Sequence, residues 1–139
     1  MPIPIDDICL NKAAIIERSI RRLRQEYAAN PTLDNFTHID AMTLNMERAC
    51  QAAIDLAMHI VARDRLGMPQ TSAESFRLLR DAGYISSDLL GEMTAMTGFR
   101  NIAVHEYQAM DLSVLHRIAQ TRWQSLVEFC RALGMQIKP

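Results

Sequence analysis

The sequence predicts an all-α protein, an up-and-down bundle of about five helices folded as a single domain. Three observations carry that prediction. Apolar residues recur at helical spacing along most of the chain, with no run of the strict alternation that a strand would need. Of the five glycines and five prolines, those that matter fall between these periodic segments rather than inside them. With 139 residues, the chain is long enough for one hydrophobic core and too short for two.

The first helix runs from about Asp7 to Ala29, where Ile8, Ile15, Ile20, Leu23 and Tyr27 alternate with charged residues in a loosely amphipathic pattern. Asn30-Pro31-Thr32 stops it, because the residue before a proline is pushed out of the helical region and the proline has no amide to donate. A second and longest helix begins between Thr32 and Asn35 and reaches towards Arg65. Its latter half, Ala49 to Ala62, is apolar almost all round, which suits the inside of a bundle or an interface. Gly67 and Pro69 close it. Thr71-Ser72-Ala73-Glu74 starts a short third helix that runs to about Ala82 and is capped by Gly83. Ser86, Ser87 and Asp88 offer N-caps for a fourth helix through Met93, Met96 and Phe99 into Arg100–Glu106. Asp111 or Ser113 opens a fifth, with Leu115, Ile118, Leu126, Phe129 and Leu133 on its apolar side.

Composition narrows the function classes. With 49% hydrophobic and 22% charged residues and a mean hydropathy of -0.05, the chain is neither a disordered tail nor a membrane protein. A net charge of -1 and a pI near 6.4 exclude a broad basic surface for nucleic acid, although local basic sites remain compatible. Three cysteines without paired ligand spacing indicate neither a disulfide framework nor a structural zinc site. The N-terminal residues lack the pattern of a secretory signal, and no apolar stretch approaches the length of a membrane span, so the expected location is the cytoplasm.

The densest cluster of reactive side chains is Arg100-Asn101-Ile102-Ala103-Val104-His105-Glu106-Tyr107. On a helix, Asn101 and His105 stack four apart, Arg100 and Tyr107 return to one edge seven apart, and Phe99, Ile102 and Ala103 face the other way. Cutting RNA without a metal needs a proton carrier that works near neutral pH and a cation to stabilise the phosphorane. His105 suits the first role and Arg100 the second. Asn101 can orient His105 or bind a phosphate oxygen. One cluster supplies one imidazole, and two copies meeting across a two-fold axis supply a pair. The plainer reading has His105 and Tyr107 capping helix carbonyls and Arg100 pairing with a carboxylate.

A second constellation is Glu47, Arg48, Gln51, Asp55 and His59, of which Gln51, Asp55 and His59 lie four apart and form a polar stripe on the otherwise apolar second helix. The plain reading is that Asp55 salt-bridges or hydrogen-bonds a neighbouring helix and does nothing more; the sharper one has Asp55 orienting Arg100 or His105 from behind. The run Arg21-Arg22-Leu23-Arg24 reads as a solvated face that can guide RNA towards a nearby site. No metal-binding or cofactor-binding motif is present in the sequence.

The spacing Arg100, four residues, His105, one residue, Tyr107, with Asn101 after the arginine, resembles the hallmark of HepT-like proteins of the HEPN superfamily. Met46 to His59 is similar to that family's long helix, Leu66-Gly67-Met68-Pro69 with Ser75-Phe76 to its connector and third helix, and Asp111 to the residue that follows its motif. The resemblance covers about residues 6 to 133. It implies an all-helical homodimer acting as a metal-independent endoribonuclease, the toxin of a type VII-like toxin–antitoxin module. Arg100 and His105 would then be catalytic and Asn101 supporting. Tyr107 would be the tyrosine adenylylated, and so silenced, by a MntA-like nucleotidyltransferase using ATP. A bulky anionic nucleotide two residues from His105 would compete with substrate phosphate for Arg100. The other class of function compatible with the sequence is a non-catalytic helical module that binds nucleotide or docks the nucleotidyltransferase.

Overall fold

The computed structural model describes residues 3–105 and 111–139, with residues 103–105 traced by backbone alone. Its helices are α1 (Asp7–Ala29), α2 (Phe36–Arg63), α3 (Ser72–Asp81), α4 (Ser87–His105), α5 (Leu112–Arg117) and α6 (Gln124–Ala132). The described residues contain no strand.

Side-chain caps fix where the helices start. Asp6 accepts from the Cys9 amide at 2.9 Å, Asn35 from Thr37, Thr71 from Glu74 and Asp111 from Ser113. Ser86 accepts from the Leu89 amide at 3.1 Å at the head of α4. The break between α1 and α2 is organised by Asn30, buried at 8% exposure, whose amide group donates to Asp34 while its oxygen accepts from the Asn35 backbone. Gly83 takes a positive φ of 84°, the left-handed geometry expected of a residue just past a helix end.

α1 and α2 form the principal antiparallel pair, α2 packs on α3 and α4, and α4 meets α6, so the apolar half of α2 lies at the centre of the bundle. Phe76 of α3 and Phe129 of α6 meet edge to face at 5.4 Å and close the core beneath it. No helix among the described residues is long and apolar enough to cross a membrane.

The expected fifth helix is divided. A π-helical turn, Ile118–Arg122, separates α5 from α6, and the Trp123 amide bonds the Ile118 carbonyl five residues back at 3.1 Å. On an unbroken α-helix, Arg122 would share the face of Leu115, seven residues earlier, and so point inward. The wider turn leaves Leu115 buried and Arg122 exposed.

Candidate functional site

Met93, Met96 and Thr97 hold α4 to the core, and Phe99 is half-buried, so the following turn leaves the bundle in a fixed direction. Arg100 is half-buried and donates to the Asn101 side-chain oxygen at 3.3 Å. Its Nε is enclosed and has no hydrogen-bond partner among the described residues. A buried guanidinium N–H without an acceptor is costly, and such orphans concentrate where a ligand or a reacting group is meant to bind.

Arg100 is within electrostatic reach of Cys50 on α2. Burial pushes the Cys50 thiol up to about 12, against the pull of the Arg100 cation and with a smaller push from Glu47. Cys50 does not stand out in the sequence, because only the packing of α4 on α2 brings it to the site. Asn101 is exposed. Ile102, expected on the buried side, is 38% exposed. His105 ends α4 and is described by its backbone alone, and Tyr107 lies outside the described residues.

Asp55 lies on the side of α2 that faces α1. Asp55 accepts from Gln51 at 2.8 Å and faces Lys12 of α1 at 3.4 Å, a contact to the neighbouring helix as the plain reading has it. The physical reason is angular: Cys50 and Asp55 are five positions apart on α2, about 140° around the helix, so one looks towards α4 and the other towards α1. His59, the third member of the stripe, bonds Asp6 at 2.7 Å.

Asp6, Cys9 and His59 bring three potential metal-ligand atoms within 4.8 Å of one another. The Arg63 guanidinium already stands there, 3.1 Å from Asp6 and 3.7 Å from the Cys9 sulfur, and a second cation would have to displace it. The same network explains why the Asp6 carboxyl lies well below its ordinary range: chiefly the Cys9 amide, then His59, stabilise its charge, with Arg63 adding to them. The three arginines of the Arg21-Arg22-Leu23-Arg24 run are exposed, as a solvated face would be, and each also has a neighbour. Arg21 and Arg24 donate to the carbonyls of Lys138 and Pro139, Arg22 pairs with Glu26 at 3.1 Å, and Arg24 stacks on Trp123 at 4.2 Å.

The family described as Ribonuclease HepT-like matches residues 16–133. The chain belongs to this family. The mRNA nuclease HepT of Shewanella oneidensis is 38% identical over 126 residues, 90% of this chain and 95% of that protein. Among solved structures, a toxin–antitoxin with AMP-PNP superposes with a TM-score of 0.87 at 36% identity, covering 92% of this chain and 98% of that one. The tri-AMPylated Shewanella oneidensis HEPN toxin in complex with MNT antitoxin also gives 0.87, at 37% identity and 92% and 97% coverage. The matched region of this HepT-like chain includes all of α4, and with it Arg100, Asn101 and His105.

Proposed function

We propose that this chain is the ribonuclease toxin of a toxin–antitoxin pair, cutting mRNA in the cytoplasm as a homodimer and silenced by a MntA-type nucleotidyltransferase that adenylylates Tyr107. The observation that carries this reading is the enclosed, unpartnered Nε of Arg100. A phosphate oxygen is a fitting acceptor for it, and a guanidinium can bind phosphate through two parallel bonds. His105 follows five residues later on the same helix, about 7.5 Å along its axis.

In the proposed reaction the RNA supplies its own nucleophile. A 2′-hydroxyl loses its proton to one His105 imidazole and its oxygen bonds to the adjacent phosphorus. The bond to the 5′-oxygen breaks, and that oxygen takes a proton from the second protomer's imidazole. Arg100 stabilises the extra negative charge in between, and Asn101 holds Arg100 or a phosphate oxygen. The exposure of Ile102 beside this cluster favours a dimer that covers it. The relatives named as an mRNA nuclease and as an AMPylated toxin bound to its antitoxin support the same reading.

The test is growth on induction of the gene. Wild type is expected to arrest growth, His105→Ala to abolish the arrest, and co-expression of the cognate nucleotidyltransferase to relieve it for wild type but not for Tyr107→Phe. Arrest by His105→Ala equal to that of wild type would overturn the assignment.

A further inference from the structure

α1 and α2 meet along a groove of about 310 Å³ whose rim carries Arg18 and Arg22 from one helix and Arg48 from the other. No acidic residue lines it, although the chain as a whole carries a net charge of -1. Arg22 is partly neutralised by Glu26, whereas Arg18 and Arg48 are exposed and have no carboxylate partner among the described residues. Between them the lining mixes Ser19 and Asn45, at 4% and 6% exposure, with Ile15, Ala41 and Leu44. Three arginines lining one groove suit a phosphate, which accepts paired N–H donors.

The position of the groove matters as much as its charge. Arg48 is two residues from Cys50, on the opposite side of α2, and Cys50 is the residue within reach of Arg100. The groove and the candidate site therefore flank α2 at the same level, roughly 10 Å apart by the width of a helix. Glu47 precedes Arg48 and lies half-buried on the same turn.

We propose that the Arg18–Arg48 groove is a second phosphate subsite, binding the backbone of single-stranded RNA at a phosphate further along the strand than the one at Arg100. This rests on the ribonuclease reading for the identity of the strand. The groove positions substrate and takes no part in bond breaking.

The experiment measures binding of a short fluorescein-labelled single-stranded RNA of mixed sequence to the His105→Ala protein across a salt series. Adding Arg18→Gln and Arg48→Gln is expected to weaken binding about tenfold or more and to lower the slope of log affinity against log salt by about 1.4, at about 0.7 per lost contact. The control pair Arg77→Gln and Arg131→Gln removes the same charge from two surface ion pairs elsewhere and is expected to leave both quantities near those of the parent protein. Equal effects of the two pairs, or unchanged affinity and slope, would overturn the subsite. So would a change of oligomeric mass in the groove variant with RNA affinity retained, since the groove would then be a protein interface.

Cleavage separates the two ideas. If the protein with His105 cuts RNA and the groove substitutions leave its KM unchanged, the subsite fails and the ribonuclease reading stands. If it never cuts, yet binding depends on Arg18 and Arg48, the ribonuclease reading fails and the subsite stands.

Discussion

Arg100 places its cation within electrostatic reach of the Cys50 thiol, and burial rather than charge decides the outcome, leaving that thiol at about 12. A thiol so placed is packing and not a nucleophile. The guanidinium beside it keeps an enclosed N–H without a hydrogen-bond partner among the described residues, so in the proposed reaction the reactive member of this pair is the arginine.

Replacing Arg100 tests that directly. Arg100→Ala is expected to lower RNA cleavage on the order of 10²–10³-fold, the usual cost of removing a charge-stabilising donor. Arg100→Lys should not restore it, because an ammonium lacks the planar fork. Steady-state cleavage, with thermal melting as a control for folding, distinguishes this from a structural role.

The cysteines should be silent in the native protein. Cys9, Cys50 and Cys130 are buried, and desolvation raises all three thiols, Cys130 also to about 12. A thiol-reactive chromogenic reagent at mildly alkaline pH is expected to label none of them until denaturant is added, and then all three. Rapid labelling of the folded protein would contradict the packing described.

Acid should weaken the link between the start of α1 and the end of α2. The Asp6 carboxyl is depressed below its ordinary 3.8 by the Cys9 amide, His59 and Arg63. A carboxylate depressed in the folded state adds stability that is present above pH 3.8 and is lost as the pH falls towards the folded value. Asp6→Asn keeps a capping oxygen but loses the charge, so its melting temperature should fall less steeply with acidification than that of wild type.

The Phe76–Phe129 contact should dominate the attachment of α3 to α6. Both rings are at most 1% exposed, and Phe129→Ala is expected to cost about 3–5 kcal/mol in urea unfolding. A loss within surface-substitution range would show that the core closes elsewhere.

What the sequence discloses about this molecule follows from the range of the interactions. Arg100, Asn101 and His105 sit on one helix, so their spacing alone places them together, and the caps at Asn35, Thr71 and Asp111 are equally local. The π-turn at Ile118–Arg122 escapes periodicity because it inserts a single residue into an otherwise helical pattern. The pairing of Asp55 with Lys12 is not legible in the sequence, because it depends on how α1 packs against α2. The Arg18–Arg48 groove is hidden for the same reason, since it exists only in the register of α1 against α2. Ile102 looks buried by its apolar character, yet the chain leaves it exposed beside the site.

The central claim is metal-independent RNA cleavage through Arg100 and His105, and the direct measurement is digestion of labelled mRNA by the purified, unmodified protein in excess EDTA, beside folded His105→Ala. The account predicts cutting by wild type alone, undiminished by the chelator. Cutting by both proteins, or by neither although both are folded dimers, would contradict it.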